Sequence, residues 1–422
     1  MRALVTWITL SVVLSVPRIA SSQDLLVPMD NSQTDHLKAY GIVYWALERT
    51  VEVDWLLNYR GGSFLMPSSG EVISELRVRG VSYESLSASA AARTMAEVQS
   101  EDANTSVVRL EKPPEIAVYA PDQTLPWDDA VLLALTYAEV PYEMIYDEEV
   151  LAGDLGRYDW LHLHHEDFTG QYGKFFNYRS TAWYIEQQRE AELAARRAGF
   201  RKVPDMKAAV AEEIKAYVGE GGFLFAMCSG TDTFDIALAA SGTDIVPAEY
   251  DNDPIDPDAL SNLDFSKTLA FENFRPIFNA REYEHSNIDS GPPPPQLRNP
   301  AVDYFTLFEF SAKYDPVPTM LTQNHVATIK GFIGQTTNFR KSVIKPNVVI
   351  LAEAPGRDEV RYLNGTYGQG TFTFYGGHDP EDYQHFVGEE PTDLSLHKHS
   401  PGYRLILNNI LFPAAKKKKQ KT

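Results

Sequence analysis

Residues 223–234 read FLFAMCSGTDTF and contain the only cysteine of the chain, Cys228. The apolar run FLFAM predicts a buried strand, and TDTFDIALAA after the cysteine predicts a helix. A strand, a tight turn and a helix in this order form the geometry of a nucleophile elbow. A helix N-terminus favours a thiolate, the Ser229 N–H is a candidate oxyanion donor, and Gly230 allows the helix to pack close to the strand. The alternative is that Cys228 is a small buried core residue.

Strands and helices alternate on both sides of this stretch. The predicted elements before it are the strands EIAVYAPD (115–122), PYEMIYD (141–147) and YDWLHLHH (158–165) and the helices within 126–140 and 205–222. Strands return at 304–310, 326–334, 347–354 and 370–377. This alternation predicts an α/β fold, a doubly wound parallel sheet with helices on both faces. The segment 25–59 has the same strand–helix–strand order, which predicts an N-terminal β-α-β unit of similar style.

The N-terminus, MRALVTWITLSVVLSVPRIASSQD, predicts a signal peptide. Arg2 precedes a short apolar run, and Ala20 and Ser22 suit the small residues before a cleavage point. The run is too short for a membrane helix, and no other stretch is long and apolar enough to span a bilayer. We therefore expect an exported protein, in the periplasm or outside the cell.

The length of 422 residues predicts two or three structural units. We expect a signal peptide at 1–22, an N-terminal α/β unit at 23–111, a second α/β domain at 112–412 with a Pro-rich insertion near 251–300, and a basic disordered tail at 413–422. The net charge of -20 argues against nucleic acid or an anionic membrane as a partner. A small molecule or a carbohydrate is the expected partner.

Ligands of open parallel sheets bind beyond the carboxyl ends of the strands, and four polar clusters follow predicted strands. They are Asp122 with its neighbour, the run HLHHEDF at 162–168, Cys228 with Ser229 and Gly230, and GGHDPED at 376–382. His378 in the last cluster is a candidate general base for Cys228. Asp379 or Glu381 would orient the imidazole. His378 could also simply cap a loop.

The loop His378-Asp379-Pro380-Glu381 after a glycine-bearing strand resembles the signature of trehalose-utilisation (ThuA-like) proteins. That family belongs to the class I glutamine amidotransferase-like superfamily, whose fold is a flavodoxin-like α/β sandwich. Its catalytic members carry Gly-x-Cys-x-Gly and a later His-Pro-Glu, where this chain has Ala226-Met227-Cys228-Ser229-Gly230 and one extra residue between histidine and proline. The resemblance implies a nucleophile at Cys228, a base at His378 and an orienting carboxylate at Glu381.

The histidine run at 162–165 is the densest polar cluster. On a strand, His162 and His164 share one face and His165 takes the other. We interpret His164, His165 and Glu166 as substrate-binding residues. The alternatives are a polar strand end and a metal site, in which His162, His164 and Glu166 would bind zinc or a similar ion. No cofactor is otherwise expected.

Three further segments carry weaker signals. Arg60 beside Gly61 and Gly62 could hold an anionic group, although glycine turns are common without ligands. The aromatic and charged segment 174–202 predicts a helix that is either a lid or a surface helix packed through its tyrosines. CSGTDTF is also similar to the pyrophosphate loop of ATP-dependent asparagine synthetases, but it is one residue short and lacks the second glycine, so we do not expect that activity.

The leading functional hypothesis is therefore a hydrolase or amidase that uses Cys228 and His378. Tyrosine and tryptophan side chains suit stacking against sugars, so the rival hypothesis is a non-catalytic carbohydrate-binding or ligand-binding module that uses the same cleft. A third hypothesis is a metal-dependent hydrolase built on the histidine run at 162–167.

Overall fold

The computed structural model describes residues 23–121, 128–293, 296 and 298–415. The predicted signal peptide at 1–22 and Asp122 lie outside the described residues. Of the predicted tail at 413–422, residues 413–415 form an ordered end in which Ala415 bridges to Leu110, and the rest lies outside the described residues. Among the helices of the described ranges, none combines the length and apolarity that crossing a bilayer requires.

The N-terminal unit is built on an antiparallel sheet. Its elements are β1 (Gln23–Val27), α1 (His36–Glu48), β2 (Val53–Leu57), β3 (Ser63–Pro67), α2 (Gly70–Val78), β4 (Glu84–Ser87), α3 (Ala88–Val98) and β5 (Ser106–Leu110). The strand order is β4-β1-β3-β2-β5. The predicted strand–helix–strand order is present, but β3 lies between β1 and β2 and pairs antiparallel with both. The short turn between β2 and β3 forces this pairing, so the expected likeness to the second unit does not extend to the sheet.

The second unit contains most of the chain. Its elements are β6 (Ile116–Tyr119), α4 (Ala130–Ala138), β7 (Glu143–Ile145), α5 (Asp147–Leu151), β8 (Trp160–Leu163), α6 (Ala182–Arg197), α7 (Val203–Glu220), β9 (Phe223–Met227), α8 (Ser229–Ala239), α9 (Ala248–Asp251), α10 (Ala259–Asn262), β10 (Tyr304–Leu307), α11 (Pro316–Leu321), β11 (Thr328–Lys330), β12 (Phe339–Arg340), β13 (Val349–Glu353), β14 (Glu359–Tyr367), β15 (Gly370–Tyr375) and α12 (Pro401–Leu411).

The large sheet is mixed. Its order is β11-β10-β13-β14-β15-β9-β8-β6-β7, with β12 attached to β14. The five strands from β15 to β7 pair in parallel, whereas β14, β13, β10 and β11 extend the sheet in antiparallel fashion. The prediction of an α/β fold with parallel strands is confirmed, and the later strands add an antiparallel half to the predicted parallel sheet. The turn from β14 to β15 is too short for a parallel crossover, so these strands form a hairpin.

The predicted Pro-rich insertion near 251–300 is packed onto the domain. The Asp235 carboxylate of α8 accepts the backbone N–H groups of Leu269, Ala270 and Phe271 at 2.7–2.8 Å. Phe271 and Ile288 are fully buried. The segment therefore forms part of the wall around the carboxyl ends of the strands.

The two units share one hydrophobic core, and α12 joins them. Arg404 of α12 is fully buried and donates to the carbonyl oxygens of Met29 and Gly61 at 3.0 and 2.8 Å. His36 of α1 stacks on His325 with ring centroids 4.3 Å apart. Three histidines and an arginine are therefore grouped at the junction, because the His36 Nδ1 also lies 3.0 Å from His399 Nδ1.

This junction should weaken in acid. Burial and the charge of Arg404 lower the pKa of His36 from 6.5 to about 2 and that of His325 to about 4. Below pH 6.5 the unfolded chain therefore binds more protons than the folded one. The free energy of unfolding decreases as the pH is lowered, until the pH reaches the pKa values of the folded state. The free energy of unfolding should fall by at most about 1.4 kcal/mol per pH unit for each histidine, and by less in proportion to its solvent exposure.

Urea unfolding at several pH values measures this effect. The variant His325→Gln should show a smaller loss between about pH 6.5 and about pH 4, because one of the suppressed protonations is removed. His397→Gln, at a partly exposed position outside the junction, serves as the control. An unchanged pH slope in His325→Gln would contradict the assignment.

Helix α8 reaches its place through a contact that requires glycine. Gly230 N donates to His164 O at 2.7 Å, so the first turn of α8 lies directly on the end of β8. A Cβ atom at Gly230 would lie 2.6 Å from that carbonyl oxygen, which is closer than atoms approach. The close packing predicted for Gly230 is confirmed, and it fixes the position of Cys228 two residues earlier.

Gly230→Ala should therefore destabilise the protein by about 1–3 kcal/mol, the usual cost of overpacking a tight contact. Thermal or urea unfolding measures the change. Gly70→Ala is the matched control, because Gly70 also lies in the first turn of a helix and a Cβ there meets no atom within 4 Å. Equal stability of the two variants would refute the steric argument.

Candidate functional site

Three of the four predicted polar clusters meet at one edge of the large sheet. β9 pairs in parallel with β15, with Met227 opposite Tyr375, and with β8, with Ala226 opposite Leu163. The residues that follow these strands therefore emerge side by side at the carboxyl edge. This register brings Cys228, His164 and His378 together. The fourth cluster, with Asp122, lies outside the described residues.

Cys228 occupies a strained elbow between β9 and α8. Its backbone angles are φ 46° and ψ −136°, in a region that side-chain-bearing residues rarely adopt. Such a conformation costs about 1–3 kcal/mol and persists only where the surroundings hold it. Thr231 helps to hold it, since both its N–H and its hydroxyl donate to Cys228 O, at 3.2 and 2.6 Å. The thiol is 2% exposed, so the buried-residue alternative is right about packing but leaves the strain unexplained.

His378 lies at the centre of the site and contacts three side chains. Its Nδ1 lies 3.1 Å from His164 Nε2 and its Nε2 lies 3.4 Å from Asp128 Oδ1. Cys228 is the third neighbour and raises the pKa of the ring. Burial opposes protonation of His378, but the hydrogen bonds with Asp128 and Cys228 outweigh it and raise the pKa to about 10. The imidazole is therefore a cation at neutral pH, placed between a carboxylate and a sulfur.

A second carboxylate, Asp129, holds the histidine run. Asp129 caps α4 by accepting the N–H groups of Val131 and Leu132. The same Oδ1 lies 3.5 Å from His162 Nε2 and 3.2 Å from His164 Nδ1. Burial lowers the pKa of His164 to about 4 although Asp129 opposes the shift. His164 is therefore neutral at pH 7 and connects Asp129 to His378.

His385 brings a further imidazole to Asp128. His385 Nε2 lies 3.6 Å from Asp128 Oδ1, and its ring stacks on His378 with centroids 4.7 Å apart. On the other side of the ring, His385 Nδ1 lies 3.1 Å from Asp382 Oδ2. His385 Nε2 and Asp128 Oδ2 are buried without hydrogen-bond partners among the described residues. Two imidazole nitrogens and a carboxylate therefore converge on one point.

His165 and Glu166 lie beside this cluster. The His165 ring is 5.1 Å from that of His164 and 6.0 Å from that of His378. Glu166 is 6% exposed, and its Oε2 accepts the N–H of His164 at 2.9 Å. Burial raises the pKa of Glu166 to about 8. Both residues also line a cleft beneath α6, so the predicted binding residues do face open space.

The two carboxylates predicted to orient His378 are engaged elsewhere. Glu381 Oε2 pairs with His397 Nδ1 at 3.1 Å. Asp379 is fully buried, and its Oδ1 accepts the N–H groups of Glu381 and Asp382. Asp379 therefore stabilises its own turn, and the extra residue between His378 and Pro380 directs Glu381 away. Asp128 occupies the orienting position instead.

Two other predicted binding residues also have different surroundings. Arg60 pairs with Asp30 at 2.6 Å and with Glu84 at 2.8 Å, so its charge is balanced inside the N-terminal unit. Ser229 is fully buried at the start of α8, and its hydroxyl has no hydrogen-bond partner in the described part of the chain. Its side chain therefore lies under the elbow, where only the backbone N–H can serve an oxyanion.

A loop covers the thiol. Gln335 N donates to Cys228 Sγ at 3.2 Å, and Gln335 Nε2 donates to the carbonyl oxygens of Gly173 and Tyr283, both at 2.8 Å. Gly334 fits against Cys228 so closely that a Cβ would lie 3.0 Å from the sulfur. We name residues 331–338 the cover loop. The cover loop therefore shields the Cys228 sulfur from solvent.

Sequence reasoning missed Asp128, His385 and Gln335. The strand-end rule applied to Asp122 could have identified Asp128, because Asp128 stands six residues further along the chain, two residues before α4. His385 stands seven residues after His378 in a polar segment, with no motif. Gln335 belongs to a loop between distant strands, so no local pattern indicates its contact with Cys228.

Comparison with known proteins leaves the family open. No family model matches the chain, and no curated protein matches it. Among solved structures, the cytoplasmic protein STM3548 of Salmonella typhimurium is 14% identical, with a TM-score of 0.33 over 76% of this chain and 93% of that one. The cytoplasmic protein STM1381 of Salmonella typhimurium LT2 is 14% identical, with a TM-score of 0.32 over 74% and 91%. Gan42B, a GH42 β-galactosidase from G., is 11% identical, with a TM-score of 0.28 over 64% of this chain and 28% of that one.

Proposed function

We propose that the chain is an exported hydrolase or amidase that uses Cys228 as nucleophile and His378 as proton carrier. The observation that carries the proposal is the strained backbone of Cys228 at the start of α8, beside an imidazole whose pKa the neighbouring Cys228 and Asp128 raise. A buried structural cysteine needs neither feature. The Asp128 carboxylate lies at His378 Nε2, so the group contains a nucleophile, a base and a carboxylate.

In the proposed reaction, the Cys228 sulfur attacks the carbonyl carbon of an amide or ester and forms a thioester. The first-turn N–H of Ser229 donates to the developing oxyanion. His378 gives its proton to the departing amine or alcohol as the carbon–nitrogen or carbon–oxygen bond breaks. The neutral imidazole then takes a proton from water, whose oxygen attacks the thioester, and the carboxylic acid leaves with the thiol restored.

The arrangement of the parallel strands agrees with the resemblance to ThuA-like proteins. The parallel strands β6, β7, β8, β9 and β15 can be numbered 1 to 5 along the chain. Across the sheet they then lie in the order 2-1-3-4-5, which is the order of flavodoxin-like sheets. The proposal therefore includes a class I glutamine amidotransferase-like, flavodoxin-like core to which the antiparallel strands are added. In these proteins the nucleophile likewise follows a central strand.

Alkylation of the single cysteine tests the proposal. Folded wild-type protein should form one adduct with iodoacetamide, and His378→Gln and Asp128→Asn should react about tenfold or more slowly, because the first removes the imidazole beside the sulfur and the second removes the carboxylate that keeps it charged. Intact-mass spectrometry measures the rates.

His397→Gln is the control, since this partly exposed histidine pairs with Glu381 outside the site. It should react at the wild-type rate. If the folded wild-type protein does not react while the urea-unfolded protein does, the thiol is sealed and a non-catalytic binding module remains. Equal rates in wild type and His378→Gln would remove the role of His378.

A metal-dependent hydrolase is a second candidate, on residues different from those first predicted. Asp128, His378 and His385 converge, with Nε2–Oδ1 distances of 3.4 and 3.6 Å that suit donors around one ion. The outer nitrogens of both imidazoles have partners, His164 and Asp382, as in protein metal sites. The predicted set His162, His164 and Glu166 does not converge in this way, because His162 and His164 both turn to Asp129.

Metal analysis separates the two candidates. A metal hydrolase should purify with about one zinc-class ion per chain. His385→Gln should lose the ion, and Cys228→Ser should keep it. For the thiol hydrolase, Cys228→Ser abolishes activity and His385→Gln leaves most of it. Wild-type protein that takes up no ion from an equimolar zinc solution would eliminate the metal candidate.

A further inference from the structure

A cleft of about 590 Å³ lies beside the histidine cluster, beneath α6. Its walls come from α5, α6 and α7 and from the segments that follow β7 and β8. Tyr184 of α6 is buried while Ile185 is exposed. The helix therefore packs on the domain through this tyrosine, as the interpretation of a surface helix expected. The same helix also forms one wall of the cleft.

The cleft is rich in carboxylates. Seven acidic side chains line it, namely Asp147, Glu148, Glu149, Glu166, Asp167, Glu186 and Glu190. The basic residues that line it, Arg197 and Lys207, are already paired with Glu148 and Asp147. Arg189, outside the lining, pairs with Glu186 and Glu190. Even without Glu166, whose pKa burial raises to about 8, six carboxylates against three cations leave an excess of three, which favours a cationic ligand.

The cleft also has acceptor atoms without donors. Asp147 Oδ2, Glu166 Oε1 and Gln187 Oε1 are buried, line the cleft and form no hydrogen bond with the described residues. A buried acceptor without a donor costs about 1–3 kcal/mol, and the cost is larger for a charged group. A ligand that carries N–H donors and a positive charge would supply the kind of partner that these acceptors lack.

Glu166 connects the cleft to the site. Glu166 lines the cleft, and its Oε1 has no hydrogen-bond partner in the described residues although His165 Nε2 lies 4.0 Å away. Its Oε2 accepts the N–H of His164, and His164 contacts His378. On the other side, Gly173 lines the cleft and accepts the hydrogen bond of Gln335, whose N–H donates to Cys228 Sγ. Two short chains of contacts therefore link the cleft to the sulfur, one through His164 and His378 and the other through Gln335.

We propose that the cleft binds a protonated amine of the substrate and that Glu166 is its counter-ion. This binding site adds a substrate class to the proposed function. It rests on the proposed function in one respect, because the bound molecule is taken to be the substrate of Cys228. The substrate class is then an amide or ester that also carries a primary ammonium group. Glu166 binds and positions, and Cys228 reacts.

Isothermal titration of 1,5-diaminopentane into the Cys228→Ser protein at about pH 8, where the amines are cationic, tests the proposal. The diamine should bind, and 1,5-pentanediol, which has the same length without charge, should not. Glu166→Gln should weaken diamine binding about tenfold or more, because a charged hydrogen bond is lost. Glu213→Gln, at an exposed position of α7 outside the cleft, should bind as the parent does.

Glu190→Lys provides a second variant if Glu166→Gln does not fold, because its position on α6 is partly exposed. It should also weaken binding. Equal binding of diamine and diol, or undiminished binding in both variants, would overturn the proposal. Because the titration uses protein without the thiol, a failure of the alkylation test would remove the proposed catalysis and leave the cleft result intact.

Discussion

The parallel pairing of β9 with β15 is the constraint on which the site depends. This register places the residue after Met227 beside the residues after Tyr375, although about 150 positions separate them along the chain. Backbone hydrogen bonds hold the two strand ends at neighbouring positions in a sheet. The register of β9 and β15 therefore brings Cys228 and His378 to the same edge of the sheet. A slip of one residue would turn the side chains of β15 to the opposite face.

Tight backbone contacts then convert this meeting into a defined geometry. Gly230 seats α8 on the end of β8, and Thr231 holds the elbow carbonyl. The cover loop is fixed from below, since Arg361 of β14 is fully buried and donates to Thr337 O at 2.9 Å. The antiparallel strands thus do more than widen the sheet, because β14 supplies the residue that anchors the cover over the thiol.

The junction and the site use histidine in opposite ways. At the junction, burial and Arg404 keep His36 and His325 neutral. In the site, Asp128 and Cys228 keep His378 charged although it too is buried. The difference is the neighbouring charge, since burial alone would make every one of these rings neutral. Proteins that need a buried cation must place an anion against it, and Asp128 serves that purpose here.

The sequence by itself determined the strand–helix alternation, the elbow at Cys228 and the gathering of polar residues at strand ends. These follow from local patterns: apolar runs mark buried strands, and polar residues after parallel strands share an edge. The sequence did not determine the antiparallel half of the sheet. The segment of β14 contains many polar residues and was not recognised as a strand, and its antiparallel pairing with β15 follows from the hairpin turn between them. It also did not determine that Asp128 rather than Glu381 faces His378, nor that Gln335 covers the thiol. Those contacts join residues far apart in the chain, and only the packing of the whole domain decides which side chain occupies the space beside a given ring.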